Sequence, residues 1–76
     1  MTDAAREYRR IRVECDLAVI RLQLAFSNHA VRQAEHPEWW TYTGDLKKTR
    51  VDLLAACAFL GDDEAREILH AEGAGR

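Results

Sequence analysis

Glu67 and His70 are the residues whose types and spacing come closest to a metal site. The spacing Glu67-x-x-His70 places both side chains on one face of a helix, as in the di-metal carboxylate sites of helical bundles. Such a site also needs carboxylates from other helices, for which Glu14 and Asp16 are the candidates. We favour a solvated helix end with His70 near the negative pole of the helix dipole. No metal or cofactor is therefore predicted, and a helical metal or small-ligand binder using Glu67 and His70 is kept as an alternative function.

The histidines and cysteines suggest no catalytic centre. His29 and His36 are expected to be packing or capping residues. No serine or cysteine nucleophile has a discernible histidine partner, and no pair of carboxylates lies in an apolar setting suited to acid–base catalysis. Cys15 and Cys57 fit no metal spacing and no Cys-x-x-Cys motif, so we expect two small buried hydrophobic side chains. A disulfide between them is the alternative. The sequence predicts a protein that is not an enzyme, with no catalytic residues.

Basic residues occur in two clusters, which raises the question of nucleic acid. The net charge is −2 and the isoelectric point is about 5.9, so the overall balance does not favour a polyanion. The first cluster is spread around a helix with acidic residues among its members, as in i,i+4 ion pairs on a solvated face. A nucleic-acid-associated regulator stays an alternative, and nucleic acid is not the predicted partner. The clusters are Arg6, Arg9, Arg10 and Arg12, then Lys47, Lys48 and Arg50.

A short aromatic segment, Trp39-Trp40-Thr41-Tyr42, is the most unusual local feature. Neighbouring tryptophans on a helix point about 100° apart, so both cannot enter one core. We expect Trp39 and Tyr42 to pack between helices and Trp40 to face solvent or a partner, because tryptophan is enriched in binding hot spots. Trp40 is thus a predicted interface residue.

The main element of the predicted fold is one long helix over about residues 4–35. No glycine or proline interrupts this stretch. Its apolar residues form two stripes on nearly opposite sides, whereas an ordinary surface helix has one. The first seam is Tyr8, Ile11, Cys15, Ala18, Leu22, Ala25 and His29, with Val19 and Phe26 beside it. The second seam is Val13, Leu17, Ile20, Leu24 and Val31.

The rest of the chain is predicted to form two shorter helices. His36-Pro37 ends the first helix because the residue before proline is pushed out of the helical region, and the second helix is expected over about 37–60, or from Thr43 or Gly44 if a loop precedes it. Gly61 ends this helix and Asp62 caps a third, over about 62–72, before residues 73–76 fray. The predicted fold is all-α, a single domain over residues 1–76, with a long antiparallel hairpin and a short third helix.

The hairpin uses the first seam and leaves the second without cover, which predicts self-association. Antiparallel pairing about His36 places Cys15 opposite Cys57 and leaves the aliphatic second seam exposed, and such a stripe indicates an interface. We predict a dimeric helical bundle assembled through the second seam; a monomeric bundle in which the third helix bends across this seam is the alternative.

A small interaction module is the function that this organisation favours. It would be an adaptor, a regulator or an inhibitor of a larger protein machine, of phage or accessory type. The expected partners are a second copy of the chain and a protein of unknown identity. The first residues carry charges instead of a signal-peptide apolar stretch, and no apolar run reaches the ~18 residues of a membrane span. A cytoplasmic protein without membrane attachment is therefore expected.

Overall fold

A computed structural model describes residues 2–74, and the side chain of Ala74 is not included. The described residues form three α-helices and no strand: α1 is Asp3–Glu35, α2 is Thr41–Phe59 and α3 is Asp63–Ala74. The predicted all-α class is confirmed. The chain divides into two compact units, and the boundary along the sequence lies between Pro37 and Glu38. The first unit contains α1, and the second contains α2 and α3.

Both ends of α1 have a clear local cause, and the C-terminal one is the predicted signal. The hydroxyl of Thr2 accepts a hydrogen bond from the backbone N–H of Ala5 at 3.1 Å, which satisfies one of the unpaired donors of the first turn. The helix ends at Glu35, and His36 takes a non-helical conformation with φ −137° and ψ 63°, as expected before proline. At about 1.5 Å per residue, the 33 residues of α1 span roughly 50 Å.

The second helix begins after a loop, close to the alternative start. Residues 36–40 are not helical, and α2 starts at Thr41, so the start at Pro37 is wrong, and the alternative of a loop followed by a start near Thr43 is correct to within two residues. Trp40 is the N-cap; it makes no side-chain capping bond, and its carbonyl oxygen accepts the N–H of Gly44 at 3.0 Å. A tryptophan gives no N-cap signal in sequence, which is why the first residue of α2 was missed.

The turn between α2 and α3 is built as predicted around Gly61. Gly61 has φ 108°, a conformation that side chains with a Cβ rarely adopt. Its N–H donates to the carbonyl of Ala58 at 3.1 Å, and the N–H of Asp62 donates to the carbonyl of Cys57 at 3.0 Å; together these form a Schellman motif. Asp62 then caps α3, because its carboxylate accepts the N–H of Ala65 at 3.1 Å.

Helices α2 and α3 pack on each other in the second unit. Ala58 and Ala65 are its buried residues, and they are the buried apolar residues of the whole described chain. Small side chains at this point allow the two helices to approach closely. A second link is the ion pair between Arg50 and Glu72, at 2.7 Å. The third helix continues to Ala74, so Gly73 and Ala74 do not fray as predicted, and Gly75 and Arg76 lie outside the described residues.

Candidate interaction surface

The second seam is exposed along its whole length. Its five side chains are between 53% and 61% exposed, and no residue of α1 is buried. They are all aliphatic and lie on one side of the helix, so together they form an apolar stripe. A stripe of this kind is typical of an interface with another chain. The structure thus places the five predicted interface residues of α1 together on one face.

The first seam differs from the second along its length. Leu22, Phe26 and His29 are half-buried, whereas Tyr8 and Ile11 nearer the N-terminus are exposed. The two halves of the seam therefore differ in side-chain exposure. The packing of this seam against the second helix, on which the hairpin depends, stays a prediction.

The two cysteines are placed differently from the expectation. Cys15 in the first seam and Cys57 near the end of α2 are both free and exposed, so the prediction of buried thiols is wrong. Spacing on a helix identifies the side on which a residue lies, but burial also depends on how far the neighbouring element covers that side.

Arginines of the first basic cluster form ion pairs along α1, as predicted. Arg10 contacts both Glu7 and Glu14, and Arg12 contacts Asp16 at 3.1 Å. The Arg10 guanidinium lowers the pKa of the Glu7 carboxyl, and the same hydrogen bond raises the pKa of Arg10. These pairs are local contacts within one helix turn, which favour helix formation at physiological pH.

Two arginines next to the second seam have no such pair. Within residues 2–74, the side chains of Arg9 and Arg21 make no hydrogen bond or ion pair, whereas those of their neighbours Arg10 and Arg12 do. The sequence analysis missed this contrast, because it depends on the observed rotamers.

The two tryptophans of the aromatic segment have different neighbours. The rings of Trp39 and Tyr42 stack with centroids 6.3 Å apart and an interplanar angle of 6°, but Trp39 is still 49% exposed, and the packing of these two residues between helices stays a prediction. Trp40 is 80% exposed. A second exposed apolar pair, Phe59 and Leu60 at the end of α2, is 89% and 83% exposed. The sequence analysis missed this pair as a surface feature, although two large apolar residues directly before the helix-ending Gly61 were the available signal.

The residues of the alternative functions are on the surface. Glu67 and His70 are both exposed on α3, and among the described residues no three or more His, Cys, Asp or Glu side chains are grouped to hold a metal ion. In the second basic cluster, Lys48 pairs with Asp52 at 2.7 Å and Arg50 pairs with Glu72. The same residues line a cleft of about 540 Å³, in which each of these two cations therefore faces a carboxylate. The metal and nucleic-acid functions stay predictions.

No helix within residues 2–74 combines the length and the apolar character needed to cross a bilayer. No protein-family model matches the chain, and no curated protein or solved structure is detectably similar to it.

Proposed function

We propose that this chain is a small non-enzymatic protein–protein interaction module, homodimeric through the second seam of α1. In this proposal it acts in the cytoplasm as an adaptor, a regulator or an inhibitor of a larger protein machine. The first seam of α1 pairs with α2 in an antiparallel hairpin, and Trp40 contributes to the surface that meets the other protein.

The observation that carries the proposal is the distribution of apolar exposure. The five aliphatic side chains of the second seam are more than half exposed, while the buried residues of the described chain are the two alanines Ala58 and Ala65. A domain of this size is marginal even with an ordinary core. Long helices in proteins are stabilised mainly by packing of an apolar face, so α1 needs a surface against which to pack.

A second copy is the simplest partner for such a face. The same aliphatic stripe on two chains is self-complementary, as a two-fold interface requires. The two seams of α1 lie on nearly opposite sides, so a second copy on the second seam leaves the first seam available for the hairpin. The two α1 helices then pack on each other at the centre of a dimeric helical bundle, with one α2 helix on the outer side of each.

The test is sedimentation of the full chain at micromolar concentration, with two double variants. L17Q/L24Q removes apolar contacts from the second seam while keeping good helix formers, and it should convert a dimer into a monomer. The matched control is F59Q/L60Q, which replaces two apolar side chains that are more exposed and lie outside α1; it should leave the dimer intact. A wild-type chain that sediments as an 8.7 kDa monomer contradicts the homodimer.

A further inference from the structure

The second seam has the spacing of a coiled-coil stripe. Its residues alternate by four and three positions, from Val13 to Leu17, Ile20 and Leu24, and Ser27 occupies the next place before Val31. This is the heptad repeat of helices that wind around each other. In heptad notation, Leu17 and Leu24 occupy a positions, and Val13, Ile20 and Ser27 occupy d positions.

Charged residues border this stripe on both sides. Arg9 and Asp16 precede a positions and are therefore g residues, while Glu14 and Arg21 follow d positions and are e residues. Side chains at e and g form the ion pairs between helices that set the orientation of a coiled coil. The charges of these four residues therefore indicate whether a second copy lies parallel or antiparallel to the first.

In a parallel pair of helices, each g residue lies beside the e residue of the following heptad on its mate. Arg9 then lies beside Glu14 of the second copy, and Asp16 beside Arg21 of the second copy. Both pairs are attractive, and the two-fold symmetry repeats each of them. The five apolar residues of the second seam also meet their own copies in register.

In an antiparallel pair, fewer of these charged residues meet an opposite charge, because e residues then face e residues and g residues face g residues. In the register that aligns Leu17 with Ile20, Glu14 still meets Arg21. Asp16, however, meets the neutral Gln23, and Arg9 meets Ala30. The parallel arrangement therefore satisfies all four charges, and the antiparallel arrangement satisfies two.

The side-chain contacts within one chain leave these groups available. The side chains of Arg9 and Arg21 make no ion pair or hydrogen bond within residues 2–74. Glu14 accepts from Arg10 through Oε1 at 2.8 Å, and Asp16 accepts from Arg12 through Oδ1 at 3.1 Å. The second oxygen of each carboxylate can still accept a hydrogen bond from another arginine.

We propose that the second copy lies parallel to the first along the second seam, in register, with Arg9 beside Glu14 and Arg21 beside Asp16 across the interface. This inference rests on the proposed homodimer and specifies its geometry. Both chains then leave the paired helices at the same end, so the two α2–α3 units follow from one end of the dimer.

The polar residues of the stripe limit the pairing to two chains. Leu at a with Ile at d favours more than two strands, but Arg10 at an a position and Ser27 at a d position would be enclosed in a larger bundle. In a pair, the Arg10 head can reach water. It also keeps the two carboxylates Glu7 and Glu14 of its own helix, which offset its repulsion from Arg10 of the second copy.

The first test is disulfide cross-linking in a buffer of reduced and oxidised glutathione, in which oxidised glutathione accepts the two electrons. In a C15S/C57S/S27C variant, the introduced thiols face each other across the axis of a parallel pair, within the Cα separation of about 6 Å that a disulfide spans. Most of the chain should then migrate as a covalent dimer on a non-reducing gel. The matched control is C57S, whose remaining Cys15 lies on the opposite seam and should not cross-link.

The second test exchanges charges. R21E should weaken the dimer about tenfold, because it replaces two attractive pairs by two repulsive ones. Adding D16R should restore the affinity to within about threefold in the parallel arrangement, whereas adding E14R should not.

The outcomes separate the two proposals. A dimer in which S27C fails to cross-link, or in which E14R and not D16R rescues R21E, overturns the parallel arrangement and leaves the homodimer standing. A tetramer in sedimentation overturns the two-chain pairing. A wild-type monomer overturns both the pairing and the homodimer.

Discussion

The guanidinium of Arg66 donates a hydrogen bond of 3.0 Å to the carbonyl oxygen of Ala58. The same oxygen accepts the N–H of Gly61 at 3.1 Å, so both lone pairs of a carbonyl in the last turn of α2 are used. Arg66 thereby joins α3 to the end of α2, close to the buried residues Ala58 and Ala65. This small cluster holds the second unit together.

Removing the Arg66 side chain should destabilise the fold. R66A loses the bond to Ala58 and the ion pair with Asp63, and we expect about 1 kcal/mol less free energy of unfolding. Urea unfolding at fixed protein concentration measures this as a lower midpoint with an unchanged slope. R6A is the control, because Arg6 contacts only Asp3 at 3.9 Å; an equal loss in R6A would contradict the role of Arg66.

Two glycines should respond oppositely to alanine. Gly61 has φ 108°, so G61A should cost about 1 to 2 kcal/mol through backbone strain. Gly44 lies within α2 and a Cβ there meets nothing within 4 Å, so G44A should stabilise by about 0.5 to 1 kcal/mol. Thermal unfolding of the two variants beside wild type checks both signs, and a gain in G61A would contradict the observed turn.

The two tryptophans should contribute unequally to stability. Trp39 stacks on Tyr42, so W39A should lower the free energy of unfolding by about 1 kcal/mol more than W40A. W40A should change it by less than about 0.5 kcal/mol, because Trp40 is largely exposed. Chemical unfolding followed by circular dichroism compares the two variants without relying on tryptophan fluorescence. Equal losses would place Trp40 in the packing and not at a contact surface.

Acid should weaken the N-terminal half of α1. The folded-state pKa of Glu7 lies below its ordinary value because Arg10 hydrogen bonds to the carboxylate. This contact therefore stabilises the helix above the ordinary pKa, and its contribution is lost as the pH falls through the lowered folded-state value. Circular dichroism between about pH 6 and pH 3 should show a partial loss of helicity. E7Q should reduce the pH-dependent part of that loss; an unchanged profile in E7Q would exclude Glu7 as a cause.

Local signals in the sequence predicted most of the fold. The residue before Pro37, Gly61 and Asp62 mark helix ends through backbone chemistry that each residue carries itself, and the structure confirms these positions. The first residue of α2 was missed because Trp40 caps it without a capping side chain. Local rules also cannot predict burial, which depends on neighbouring elements: Cys15 and Cys57 were expected inside and are exposed.

The candidate surface was predictable in part. A period of three and four residues identified the second seam, since side-chain direction on a helix follows from spacing alone. The unpaired state of Arg9 and Arg21 could not be predicted, because several carboxylates lie within reach of each arginine and the rotamers decide which contacts form. In the proposed dimer, both arginines would lie beside a carboxylate of the second copy in the parallel arrangement, whereas Arg9 would lie beside Ala30 in the antiparallel arrangement.

Burial of only small side chains such as Ala58 and Ala65 has a consequence for the amount of this protein in a cell. If folding and assembly are one equilibrium, the folded fraction rises with total concentration. Chains made at low levels would then spend longer open to proteases, and chains made above the dissociation constant would persist. The protein would accumulate only once synthesis exceeds a threshold, and its lifetime would depend on its own copy number.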